Sequence, residues 1–221
     1  MGNLIIRPGT VADVDAVQVI ANDAKTLPFL GGFTMRDQLV SLYQNNEKFP
    51  YHVVAELDGE IVGFSDSKDK NLAYTEFDLV AVRTDLRRQR IASALYAYHI
   101  FKSALQGKSF MRDQTIHFNT VMQEGYLPHF GFDHIAGLRS KVRNFSTLNW
   151  WKVDINHDSL YRFYRSAKGG PHTVKFVGWD EVKYNEKFGL DFFLNSQQNS
   201  SDTLMDNRVL AQDLLLGNKD I

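Results

Sequence analysis

Residues 76–96 read E-F-D-L-V-A-V-R-T-D-L-R-R-Q-R-I-A-S-A-L-Y. An apolar extended run passes, across a short loop crowded with arginine, into a helix that begins at once on small residues. The pattern predicts a strand over Tyr74–Val82, a helix from about Ile91 to Leu105 and a further strand over Thr115–Phe118 (T-I-H-F). Strand, helix and strand in that order make a parallel crossover, right-handed by the general rule. Parallel strands need such a helix on the sheet face to connect them. The ligand of such a unit lies where its first strand ends and its helix begins.

That junction has a chemistry of its own. A helix N-terminus presents unpaired N–H groups and the positive end of its dipole, which together attract anions. Arg87, Arg88, Gln89 and Arg90 occupy this place, Ile91 packs inward, and Ala92 and Ser93 keep the first turn thin. Arginine heads suit phosphate through planar, charge-assisted contacts. Two readings stay open: a phosphate-bearing ligand lying along the strand end, or an exposed basic helix start with no ligand.

Around this unit the pattern gives a strand at Leu4–Ile6 stopped by Pro8-Gly9, and a helix capped by Thr10 with Asp13 three residues on. A second helix spans Met35–Gln44. Strands Tyr51–Leu57 and 60–67 turn at Asp58-Gly59. After Phe118 come a short helix and one more long strand opened by Gly131-Phe132. The expected architecture is α/β in the broad sense: a mixed, mostly antiparallel central sheet with helices on both faces.

The net charge of -1 on 221 residues makes the arginine cluster a local feature and argues against a nucleic-acid coat. A nucleic-acid reading would use R-R-Q-R with Tyr96, Tyr98, Trp150 and Trp151, but Tyr96 and Tyr98 cannot face one way on a helix. The absence of cysteine excludes disulfides, thiolate metal sites and a cysteine nucleophile, and no metal is expected. The N-terminal sequence has no apolar stretch of signal-peptide length, and Ile6 breaks the myristoylation pattern. No segment reaches membrane-span length. A cytoplasmic protein with no membrane partner is the expectation.

The order of these features resembles the GCN5-related N-acetyltransferase (GNAT) family. The resemblance runs over roughly residues 3–154. It rests on L-I-I-R-P-G-T-V-A-D-V-D-A-V, the hairpin V-V-A-E-L-D-G-E-I-V-G-F, the arginine loop, and N-T-V-M-Q-E-G-Y-L-P-H-F-G-F. The family loop, commonly R-G-x-G-I-G-x-x-L, keeps Arg87, Ile91, Ala92 and Leu95 here, but both early glycines are arginine, at Arg88 and Arg90. Glycine there lets backbone approach a pyrophosphate, so these two side chains must point away from the pyrophosphate path or grip it from outside. The resemblance implies an acetyl-coenzyme A N-acyltransferase-like fold and an acetyl-coenzyme A-dependent N-acetyltransferase. The acceptor would be a small-molecule or peptide amine attacking the thioester directly. Coenzyme A would be bound by Arg87, Arg88, Gln89, Arg90, Ile91, Ala92 and Ser93, and by main-chain groups of Val80 and Val82. The lost glycines leave an alternative: a coenzyme A-binding regulatory module with little catalysis.

In the family an asparagine, a tyrosine seven positions on, and then Gly-Phe recur. Asn119 and Tyr126 keep that spacing, and Gly131-Phe132 arrive one residue late. By resemblance Tyr126 protonates the departing thiolate and Asn119 holds the pantetheine arm. Leu127 in that position, a packing role for Tyr126 and an N-cap role for Asn119 remain open. The amine needs a base. Glu76 and Asp78 alternate on one strand and share a face, and Glu76 is the choice; His117 is a second candidate. Structural roles are equally open for Glu76, His117, His129 and His134.

The acetyltransferase-like unit is expected over residues 1–154, with an extension over 155–221 made of helix, strand and helix, broken by Gly169-Gly170-Pro171. N-S-Q-Q-N-S-S-D reads as a polar loop and L-M-D-N-R-V-L-A-Q-D-L-L-L as an amphipathic helix. The extension is a partial second repeat or a dimerisation element, and a homodimer is left open.

Overall fold

The computed structural model describes residues 1–30, 34–44, 51–71, 73–139, 147–178 and 200–216. Eight strands form one sheet: β1 (Asn3–Pro8), β2 (Tyr51–Leu57), β3 (Glu60–Asp69), β4 (Tyr74–Val82), β5 (Phe110–Ile116), β6 (Asp133–Arg139), β7 (Thr147–Asp154) and β8 (Thr173–Phe176). Their order is β6-β7-β5-β4-β3-β2-β1-β8. The β4–β5 and β1–β8 pairs are parallel and the others antiparallel, so the sheet is mixed and mostly antiparallel.

Helices cover both faces. On one, α1 (Val14–Ala21) and α3 (Arg36–Gln44) close a core over Val54, Phe64 and Ala81. Between them lies the short α2 (Leu27–Leu30). The turn into α1 is held by Asp13, which accepts from the Thr10 N–H at 2.8 Å and takes Arg7 in a two-pronged pair. On the other face, α4 (Ile91–Leu105) lies against the sheet, and α6 (His157–Lys168) and α7 (Ser200–Leu216) pack against it. Nearly every side chain of α4 is buried, as expected of a helix enclosed on all sides. Between α4 and β6, a wide-pitched π-helical turn (Val121–Tyr126) runs into the single turn α5 (Leu127–His129).

The structure corrects two expectations. The strand after α4 is Phe110–Ile116, not Thr115–Phe118. Its polar members Arg112 and Gln114 face away from α4 while Met111 and Asp113 are buried, so the run F-M-R-D-Q conceals its alternation behind a buried acid. The long strand opened by Gly131-Phe132 is two antiparallel strands, β6 and β7. A single strand over residues 133–154 would run to ~70 Å, far past any sheet edge, so it must double back. Most of the expected polar loop N-S-Q-Q-N-S-S-D lies outside the described residues. The extension adds β8 beside β1, and Leu160, Phe163, Val174, Phe176 and Leu210 join the core around α4.

Candidate active site

Strands β4 and β5 pair only from Tyr74–Phe77 with Phe110–Asp113, and then part, although β4 runs on to Val82 and β5 to Ile116. A bulge helps to open this slot. Leu79 lies opposite Asp66 and Phe77 opposite Ser67, which leaves Asp78 as the extra residue. Bulges bend a strand and increase its twist. Phe77, Val80 and Val82 consequently all face α4, whereas Leu79 and Ala81 face α1. Backbone groups of alternate residues point to opposite edges of a strand. The Arg83 N–H bonds Val62 O on β3, so Val82 and Val80 present theirs to the slot. The Val82 carbonyl accepts there from Arg87 Nε at 3.3 Å.

The slot leads to the start of α4. The first helical bond runs from the Ala94 N–H to Arg90 O at 3.1 Å, so the N–H groups of Ile91, Ala92 and Ser93 precede it with no acceptor among the described residues. Arg88 and Arg90 have φ of 68° and 64°, the left-handed conformation for which glycine is the usual residue. The backbone thus keeps a glycine-type shape without glycine. Arg90 Nη1 donates to Ser166 Oγ on α6 at 2.9 Å, away from the loop. His172 Nε2 meets Gln89 Oε1 at 2.7 Å, and a Cβ on Gly170 would stand 2.9 Å from Gln89 O. The turn between α6 and β8 therefore buttresses the loop. Arg87 Nη2 donates to Thr26 Oγ1 at 2.9 Å from the opposite side, and Arg88 is exposed.

Tyr126 ends the π-helical turn, whose wider pitch takes up one extra residue. The residue by which Gly131-Phe132 arrive late is absorbed here, and Tyr126 keeps its aim toward the slot: its hydroxyl donates to Ser93 Oγ at 3.4 Å. The ring packs on Tyr96 and Phe130, and burial raises its pKa, so the phenol stays protonated. Behind it, the Tyr96 hydroxyl donates to the buried carboxyl of Asp113 on β5. Burial pushes Asp113 up to about 7, although the Tyr96 bond opposes this. Asn119 is half-buried, and its Oδ1 accepts from the Met122 N–H at 3.4 Å, a cap contact.

Glu76 stands between Thr75 and Phe77, both of which face α4, so its carboxylate is on the opposite face, paired with Lys70 at 2.9 Å. Asp78 shares that face and accepts from Lys68 and, across the slot, from Gln114 Nε2 at 2.7 Å. Tyr126 and Glu76 thus lie on opposite faces, and the slot joins the two. His117, His129 and His134 are exposed, His117 against Phe118 and His134 against Trp151. Tyr96 and Tyr98 are buried in the core, unavailable for stacking on bases. Sequence reasoning missed Asp113, Ser166, His172 and Thr26. Asp113 was legible only with β5 in its true place, and the other three approach the site from distant segments.

Among solved structures, an N-acetyltransferase from Staphylococcus aureus Mu50 is 20% identical and superposes with a TM-score of 0.60, covering 69% of this chain and 98% of its own. The ribosomal-protein-alanine N-acetyltransferase of Brucella melitensis gives 21%, 0.57, 67% and 98%. The yncA structure from Salmonella typhimurium, solved with its cofactor acetyl-CoA, gives 18%, 0.57, 70% and 95%. No curated protein matches the chain, and no helix among the described residues is long and apolar enough to cross a membrane. The Acetyltransferase (GNAT) family model matches residues 20–132, over half of the chain, from α1 through the slot and loop to Phe132, and to that family, as an acetyltransferase, this chain belongs.

Proposed function

We propose that the chain is an acetyl-CoA-dependent N-acetyltransferase in which a primary amine attacks the thioester directly. The carrying observation is the parted β4–β5 pair, whose free β4 edge leads to the open N–H groups of α4. The Val80 and Val82 main chain offers pantetheine amides the bonds of an added strand. The first turn of α4, with Arg87 and Arg88, offers the pyrophosphate N–H groups and positive charge. Acetyl-CoA bound to yncA, a protein of this fold, supports the choice of ligand.

The two faces divide the proton work. On the Glu76 face the carboxylate, directly or through one water, takes a proton from the acceptor's ammonium, which has no lone pair to attack with, and leaves the free amine. The nitrogen bonds the acetyl carbon, the C–S bond breaks, and the nitrogen gives up its second proton to water to become the amide. On the α4 face the Tyr126 hydroxyl gives its proton to the departing sulfur. Asn119 holds the pantetheine arm beside it. Lys70 must yield Glu76 for this, and its exposed position lets it do so.

A second reading, a coenzyme A-binding module with little catalysis, draws on one observation: arginine holds both glycine-type positions of the loop. One experiment separates the two. Acetyl-CoA at millimolar concentration should raise the melting temperature, since it binds only the folded state. A mass-spectrometric screen of amines should then show acetylated product. Stabilisation without product on any amine favours the module; no stabilisation removes both readings.

A further inference from the structure

The face that carries Glu76 holds three acid–cation pairs. Lys70 takes Glu76, Lys68 takes Asp78, and Lys152 takes Asp154 at 2.6 Å. Arg112 is different. It lies directly opposite Glu76 in the β4–β5 register, half-buried, and in no ion pair among the described residues. Its guanidinium is 4.3 Å from the Trp150 ring and 5.2 Å from the Tyr74 ring, and Nη1 donates to the Tyr74 hydroxyl at 3.2 Å. Two aromatic walls and one hydrogen bond therefore fix the head group before any ligand arrives. A guanidinium has five N–H donors; among the described residues this one spends a single donor, on Tyr74.

A second observation points the same way. Arg112 Nε and Trp150 Nε1 are both buried and both lack an acceptor among the described residues. Buried donors are nearly always satisfied, because leaving one unmade is costly. Here two unmet donors and an unneutralised charge share one cluster, and what they lack in common is an oxyanion.

We propose that Arg112, with Trp150 and Tyr74, is the anchor for an anionic group on the acceptor, so that the substrate is an amine carrying a carboxylate or phosphate a few bonds from its nitrogen. The short spacing follows from the register. Neighbouring strands lie ~5 Å apart, so an amine delivered to Glu76 places a group only a few bonds away over Arg112. A prearranged arginine binds with little loss of side-chain freedom. This rests on the N-acetyltransferase reading above and adds the acceptor class to it.

The test uses the full chain and acetyl-CoA. Acetyl-CoA binding is measured first by thermal shift, so that failure of the parent reading is recognised separately. Three matched acceptor series are then assayed by release of the free thiol: α-, β- and γ-amino acids, their carboxamides, and aminoalkyl phosphates. The carboxylate or phosphate series should exceed the carboxamides in kcat/KM by about 10–100-fold, the usual worth of a hydrogen bond to a charged group. Which of the two leads identifies the anion. Arg112→Met keeps an unbranched chain between the rings, and it should bring the anion-to-carboxamide ratio down to near one through KM, with acetyl-CoA affinity unchanged. Arg112→Lys, which keeps the charge, should restore part of the ratio. Carboxamides turned over as well as the anions, no turnover of any anionic amine, or a ratio untouched by Arg112→Met would each overturn the proposal and leave Arg112 as packing between two rings.

Discussion

At position 126 a phenol is held half-buried, kept protonated and directed at Ser93. Tyr126→Phe should slow acetyl transfer by roughly 10²–10⁴-fold, the usual contribution of a positioned acid, while acetyl-CoA affinity stays nearly constant. A loss confined to turnover marks a group acting in the transition state; unchanged turnover, measured where chemistry limits the rate, would return Tyr126 to its packing role. Asp113 behind it carries a signature in pH. Its folded pKa of about 7 lies above the unfolded value of ~3.9. Between those values the native state holds a proton that the unfolded chain has lost, so this residue's contribution to stability falls as pH rises from ~4 to ~7 and is level above. Asp113→Asn keeps an acceptor for Tyr96 and abolishes the charge. In urea unfolding the variant should gain on the wild type by about 2–3 kcal/mol between pH 5 and pH 8; a gap that stays constant would show that Asp113 does not titrate there. Residues of this kind divide by legibility. Tyr126 stands out in the sequence as a candidate acid because its spacing from Asn119 survives there. Asp113 could not, since its role depends on which way β5 faces.

Among the elements, the loop before α4 was legible as a candidate anion site, and its two arginines at glycine positions were legible as a difficulty. The way out was not, because it comes from α6 and the turn to β8, some eighty residues later. Arg87→Ala should weaken coenzyme A more than pantetheine, which carries no phosphate; equal losses, compared by calorimetry, would make the loop structural. Gly170→Ala should act at second hand. Its methyl group would press on Gln89 O and on Arg90 Cβ, 2.9 and 3.1 Å away, and so should cost coenzyme A affinity while sparing pantetheine. In an Arg90→Gly background the same substitution should cost less, because the loop can then yield; strict additivity in this double-mutant cycle would rule out the buttress. The π-helical turn belongs to the same scale. The sequence shows one residue too many before Gly131-Phe132, but only a backbone shows where a helix widens to absorb it.

For the molecule as a whole, the sheet and its flanking helices were legible from the order of strands, helices and turns. The use made of the last third was not, because a short strand such as T-V-K-F names no partner. The extension supplies the outer wall of α4 through Leu160, Phe163, Leu210 and Leu214. We therefore expect residues 1–156 alone to be insoluble or molten, with α4 uncovered. Leu214→Ala in the full chain should cost about 2–5 kcal/mol, the range for a fully buried leucine. A soluble, cooperatively melting 1–156 fragment, followed by circular dichroism, would show the extension to be dispensable.

The β1–β8 pairing also sets a timetable. Asn3 lies beside Thr173, 170 positions apart, and closing so long a chain costs on the order of 4–5 kcal/mol in entropy before any contact repays it. During synthesis β1 must wait for a neighbour that emerges 170 positions later. The arginine loop at 87–90 waits for its buttress as well, since Ser166, Gly170 and His172 emerge in the same late stretch. A growing chain of this protein thus carries its slot long before the loop is buttressed, and if that loop holds the coenzyme A phosphates as proposed, competence to bind should appear only after the residues up to about 176 have emerged.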